Sequence, residues 1–132
     1  MKNLILDSYA LIAYLENEQG ADRIEELLYK AKKEELHILM SIINWGEVYY
    51  SIFRSKGEDR AEDALIVIKQ LPIEIVDADK DMVYQASRFK GKYRIAFGDC
   101  FAAALACKRN CKVITGDKEF KRLEGKITVE WL

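Results

Sequence analysis

From Cys100 to Cys107 the chain reads Cys-Phe-Ala-Ala-Ala-Leu-Ala-Cys, apolar on every face. Ala and Leu dominate the wider stretch Ala96 to Cys107, and Gly98 is its one strong breaker, near the start, so the spacing predicts a helix. A helix that is apolar all round has no side to give to water and must be packed on all sides. One charge interrupts it. Asp99 stands at the helix start, where the dipole and the unpaired N–H groups favour a carboxylate. Asp99 is therefore either a simple N-cap or an acid with a task, and three other carboxylates bear on the choice.

Taken in order, the chain alternates strands and helices. Lys2-Asn3-Leu4-Ile5-Leu6-Asp7 is a short apolar run ending in an acid, the pattern of a buried parallel strand. Ser8 suits an N-cap for a helix beginning Tyr9-Ala10-Leu11. Ala21 to Glu34 carries Ile24, Leu27, Leu28 and Ala31 at helical spacing, with Glu and Lys opposite. Leu36 to Met40 is a second strand, and Ser41 caps a helix from Ile42 to Ser55. Glu58 to Leu71 is the next helix, making an αα-hairpin around Gly57. Its apolar surplus (Tyr49, Tyr50, Phe53, Ile66, Val67) is either core or a surface for a partner. Ile73 to Val76 is a third strand, and Asp79 caps a helix running to Lys90. Lys90-Gly91-Lys92-Tyr93-Arg94 then reads as a basic loop with an aromatic in its middle, suited to a phosphate backbone. After the Ala-rich helix, Asn110 is a natural left-handed C-cap. Lys112 to Thr115 is the fourth strand, followed by Gly116-Asp117, and Ile127 to Trp131 is the last. No linker, repeat or low-complexity tract interrupts residues 1–132, so a single domain is expected.

Composition removes several classes of function. The net charge is −1, which announces no nucleic-acid binder by itself. There is no run of about 18 apolar residues and no basic-then-apolar leader, so neither a membrane span nor a signal peptide is expected, and the setting is cytoplasmic. Three cysteines (Cys100, Cys107, Cys111) without a CxxC spacing read as buried reduced thiols rather than a zinc site. His37 is the only histidine, which excludes histidine-pair ribonuclease chemistry. No Ser–His–Asp or Cys–His set and no Walker-type phosphate loop is present.

The acids supply what is missing. Asp7 and Asp117 each follow a strand, at the carboxyl edge where open α/β sheets bind ligands. Asp99 begins the helix before the strand that delivers Asp117. Glu47 lies among Trp45, Val48, Tyr49 and Ile52, so it is either a solvent-facing Glu or a partly buried acid that needs a partner. Gathered together, such acids raise one another's pKa values. The usual remedy is a hard divalent ion with oxygen ligands, Mg²⁺ or Mn²⁺.

These segments resemble the PIN-domain family, and most of all the VapC-type toxins of toxin–antitoxin pairs. The likeness rests on Leu4-Ile5-Leu6-Asp7-Ser8-Tyr9-Ala10-Leu11-Ile12-Ala13, on Glu47, on Gly98-Asp99-Cys100-Phe101-Ala102-Ala103-Ala104, and on Thr115-Gly116-Asp117-Lys118-Glu119-Phe120. It spans nearly the whole chain. It implies a three-layer α/β/α sandwich around a mainly parallel sheet of four to five strands. It also implies a metal-dependent endoribonuclease with Asp7, Glu47, Asp99 and Asp117 as its catalytic and metal-binding acids, and Thr115 and Ser8 in support. Lys90, Lys92, Arg94 and Lys118 are the candidate RNA contacts. The implied partners are an RNA substrate, a cognate antitoxin protein and a second copy of the chain in a homodimer. Three other readings stay open: a housekeeping RNA-processing nuclease, a phosphate acceptor at Asp7, and a non-catalytic domain in which the acids are caps.

Overall fold

The computed structural model describes residues 1–132. Five strands, β1 (Lys2–Leu6), β2 (Leu36–Ser41), β3 (Ile73–Val76), β4 (Lys112–Thr115) and β5 (Val129–Trp131), form one sheet in the order β3-β2-β1-β4-β5. Every neighbouring pair is parallel. Parallel neighbours require crossovers, and here helices supply most of them. α1 (Ser8–Leu15) and α2 (Ala21–Lys32) connect β1 to β2. α3 (Ile42–Lys56) and α4 (Glu58–Gln70) connect β2 to β3, and α5 (Lys80–Lys92) and α6 (Phe97–Arg109) connect β3 to β4. A 3₁₀ segment, Lys118–Leu123, lies between β4 and β5.

Side chains alternate across a strand, so each strand feeds two cores. Leu4, Leu6, Ile38, Met40 and Ile114 pack with α1 to α4 on one face. Ile5, Leu39 and Val113 pack with α5 and α6 on the other. This is the expected α/β/α sandwich. The Ala-rich helix is α6, buried without a break from Gly98 to Ala106. Its small side chains let it lie close to the sheet and to α3 and α5 at once.

Several local expectations are corrected. The N-cap of α1 is Asp7, whose Oδ1 accepts from the Ala10 amide at 2.9 Å; Ser8 is the first helical residue. α6 starts at Phe97 with Ala96 as a cap that makes no side-chain bond, so Asp99 falls within the first turn and is no N-cap. The basic stretch from Lys90 is not all loop. α5 continues through Gly91 to Lys92, held by a Tyr93 N–H to Phe89 carbonyl bond of 2.9 Å. β5 begins at Val129 rather than Ile127. Of the three free thiols only Cys100 is fully buried, and Cys107 is exposed.

Candidate metal centre

The carboxyl ends of β1 and β4 define the site. Leu6 is in register with Ile114, so Asp7 and Thr115 stand side by side one step further along. The strand order reverses at this point, and open α/β sheets form their ligand crevice there. The Thr115 hydroxyl donates to Asp7 Oδ2 and accepts from the Asp117 amide at 3.0 Å. One threonine thus fixes the first acid by its side chain and the last by its backbone. Asp117 Oδ1 in turn accepts from the Glu119 amide at 2.9 Å, starting the 3₁₀ segment.

The other two acids arrive on helices that meet over this edge. Glu47 on α3 faces the start of α6. Asn44, one turn earlier on α3 and fully buried, donates through Nδ2 to Glu47 Oε1 at 2.7 Å and to the Gly98 carbonyl at 3.0 Å. Asn44 is therefore both a strut between two helices and a guide for Glu47. Gly98 is equally specific: a Cβ there would lie 2.0 Å from Glu47 Oε2. The absent side chain is the space that the carboxylate occupies. Gly116 plays a similar part beside Asp117, where a Cβ would lie 2.3 Å from the Tyr9 ring.

Asp99 is the centre of the arrangement. Carboxylate oxygens from Asp99, Asp117 and Glu119 lie within 4.8 Å of one another. Asp99 is only 5% exposed, and its Oδ2 has no hydrogen-bond partner. A buried, unpartnered carboxylate oxygen costs free energy. Burial pushes the Asp99 carboxyl up to about 8, with the charge of Asp117 next and the charges of Asp7 and Glu47 adding to it. Burial likewise raises Asp7 to about 7, against the lowering bonds from Thr115 and Ala10. Asp117 and Glu47 push it further the same way. Desolvation, more than mutual repulsion, dominates both shifts. A divalent cation would reverse the balance by neutralising the acids where they sit. An all-oxygen donor set suits Mg²⁺ or Mn²⁺, and the orphaned Asp99 oxygen is a ligand atom ready for one.

Asp7, Glu47, Asp99, Asp117 and Thr115 are thus brought together. Ser8 sits beside them without the capping role. The basic residues are less uniform. Lys90 Nζ donates to the Ile95 carbonyl at 2.7 Å, tying the end of α5 to the entry of α6. Arg94 is exposed, and its carbonyl accepts from Arg122. Lys118 is exposed next to Asp117, and Lys92 lines a groove between α5 and α6. His37 pairs with Glu74 at 2.8 Å, outside the cluster. Sequence reasoning missed Asn44, Gly98 and Glu119. Asn44 precedes Glu47 by three residues, one helical turn, and that spacing was the available signal.

A family model described as the PIN domain matches residues 4–126. No curated protein matches the chain. Among solved structures, VapBC from Salmonella typhimurium, bound to DNA, superposes with a TM-score of 0.78 at 20% identity, covering 99% of this chain and 98% of that one. VapBC2 from Rickettsia felis, bound to a DNA fragment from its promoter, gives 0.77 at 19% identity, covering 98% of each chain. VapC20 of Mycobacterium tuberculosis, a toxin that cleaves the sarcin–ricin loop, gives 0.73 at 15% identity, covering 92% of this chain and 95% of that one.

Proposed function

Because this chain belongs to the PIN-domain family, we propose that it is a divalent-metal-dependent endoribonuclease and the toxin of a toxin–antitoxin pair. The observation that carries the reading is Asp99 Oδ2, buried without a partner among converging acids. Asp7, Glu47, Asp99 and Asp117 would hold Mg²⁺ or Mn²⁺, with Glu119 alongside. Such an ion, when bound, makes water a better nucleophile and neutralises charge on the phosphoryl group.

The chain's own residues do the rest. Thr115 holds Asp7 in one rotamer, and Asn44 does the same for Glu47. Their fixed carboxylates are a preorganised donor set that need not be rearranged when the ion arrives. Asp99 gives up its proton on loading, because ligands bind as carboxylates. Lys118, Lys90 and Arg94 are candidates for the RNA phosphates near the cut, and Lys92, which lines the α5–α6 groove, for phosphates further along the strand. In the reaction a water oxygen bonds to phosphorus, the bond to the 3′-oxygen breaks, and that oxygen takes a proton. The products carry 5′-phosphate and 3′-hydroxyl ends.

The cognate antitoxin would lie across the acids and offer them a basic side chain. Tyr50 and Phe53 on α3, with Ile66 and Val67 on α4, remain exposed and give apolar area for a second chain, a homodimer mate or the antitoxin. No helix is long and apolar enough to cross a membrane; the place of action we propose is the cytoplasm.

The test is cleavage of a structured RNA pool with Mn²⁺, Mg²⁺ or chelator, by wild type and Asp99→Asn. Metal-dependent cuts with 5′-phosphate ends, made by wild type only, are expected. Cleavage that survives chelation, or that the variant retains, would overturn the metal-nuclease reading.

A further inference from the structure

The net charge of −1 conceals a polarised molecule. Residues 1–79 carry nine Lys and Arg against sixteen Asp and Glu, whereas residues 80–126 carry twelve against five. The first set builds β1 to β3 and the α1 to α4 layer. The second builds α5, α6, β4 and the 3₁₀ segment. The acidic and basic halves therefore largely divide between opposite faces of the sheet. Charge asymmetry of this kind is the footprint of a polyanion-binding face.

On the basic face lies a groove of about 480 Å³ between α5 and α6. Phe89 and Tyr93 supply its aromatic wall, and Arg88, Lys92, Lys108 and Lys126 its charged rim. Asp81 is the single acid in its lining. None of the four cations forms an ion pair, although other cations of this half do: Arg109 with Glu74, Lys112 with Glu130 and Arg122 with Glu119. Cations left unpaired around aromatic rings match what single-stranded nucleic acid offers, charged phosphates interleaved with stacking bases. Ala104, Cys107 and Lys108 of α6 reach the groove, and Asp99 begins the same helix. At 1.5 Å per residue the groove runs from about 7 to about 14 Å along α6 from Asp99. Lys108 and Asp99 are half a turn apart around the helix axis, so the groove opens away from the acids.

We propose that this α5–α6 groove docks the phosphate backbone of RNA flanking the scissile bond, as an anchoring surface separate from the metal centre. The proposal rests on the nuclease reading for the identity of its ligand. The groove contributes affinity and register, while the acids act on a phosphate several nucleotides away.

The experiment measures binding of a fluorescent structured RNA pool in chelator, so that no cleavage intervenes, across a range of salt. The proteins are wild type, the combined variant Arg88→Gln, Lys108→Gln, Lys126→Gln, and a control with Lys32→Gln, Lys56→Gln, Lys69→Gln on the opposite face. All six positions are exposed, so folding is preserved and is checked by circular dichroism. The groove variant should bind at least about tenfold more weakly, and its log K against log salt slope should fall by about 2, as the loss of three phosphate contacts requires. The control should match wild type. Equal loss in the control, or no loss in the groove variant, would overturn the proposal. So would displacement of RNA by polyglutamate at comparable concentration, which would mark an acidic-peptide site. If wild type never cleaves RNA yet the groove variant loses binding, the nuclease reading falls and the docking surface stands.

Discussion

Asp99 and Asp7 are acids held where acids are costly. Burial raises Asp99 to about 8 and Asp7 to about 7. The metal-free folded protein therefore keeps protons that the unfolded chain has released. Stability from these groups is fully present below their ordinary value of 3.8 and is lost as pH rises through 7 and 8. Thermal melts in chelator should show the melting temperature falling from pH 5 to pH 9, and Asp99→Asn should flatten that slope. A wild-type profile as flat as the variant's would contradict this assignment. Asn44→Ala leaves Glu47 free to swing and removes a bond to the Gly98 carbonyl. We expect a loss of about 1–3 kcal/mol in stability by denaturant titration, from the two hydrogen bonds removed, together with weaker Mn²⁺ affinity.

At the scale of elements, α6 makes the sharpest prediction. Ala in place of Gly inside a helix ordinarily stabilises by about 0.5–1 kcal/mol. Gly98→Ala, however, puts a methyl group where the Glu47 carboxylate sits. The carboxylate ends a flexible side chain and can move, so stability should change by less than about 1 kcal/mol while Mn²⁺ affinity drops at least about tenfold. A variant that binds metal normally would show that Glu47 is dispensable. The same helix shows how far sequence reading reached. Its all-round apolar surface made burial legible, and the strand–helix alternation made the parallel sheet legible. Of the two readings of Asp99, the cap fails because backbone geometry starts the helix at Phe97 and leaves the carboxylate to face the other acids. α5 runs to Lys92 rather than Lys90 because glycine's weak helix propensity, about 1 kcal/mol against Ala, is outweighed by the packing of Phe89 and Tyr93 against the core. Only half of the Asn44 role is local: its spacing from Glu47 is one helical turn, while the Gly98 carbonyl it also holds is 54 residues away in sequence.

For the whole molecule, the sheet separates two kinds of work. Its acidic half carries the exposed apolar residues of α3 and α4, and its basic half carries the unpaired cations of the α5–α6 groove. Charge counted over the full chain cancels these halves, so net charge hid the polarity that position in the fold makes visible. A homodimer built on the apolar residues should sediment at twice the 15.3 kDa chain mass, and Ile66→Glu should return it to monomer. Sedimentation of wild type as a monomer at all concentrations would reserve that surface for the antitoxin. The central claim concerns the acids at the junction of β1, β4, α3 and α6. Calorimetric titration of Mn²⁺ into the protein at pH 6.5, in two buffers of different ionisation enthalpy, tests it most directly. Asp7 and Asp99 hold protons at that pH, so binding should release protons and give buffer-dependent heats, and Asp99→Asn should lose most of both binding and release. Millimolar Mn²⁺ that produces no binding heat, or identical titrations for the two proteins, would contradict the metal centre.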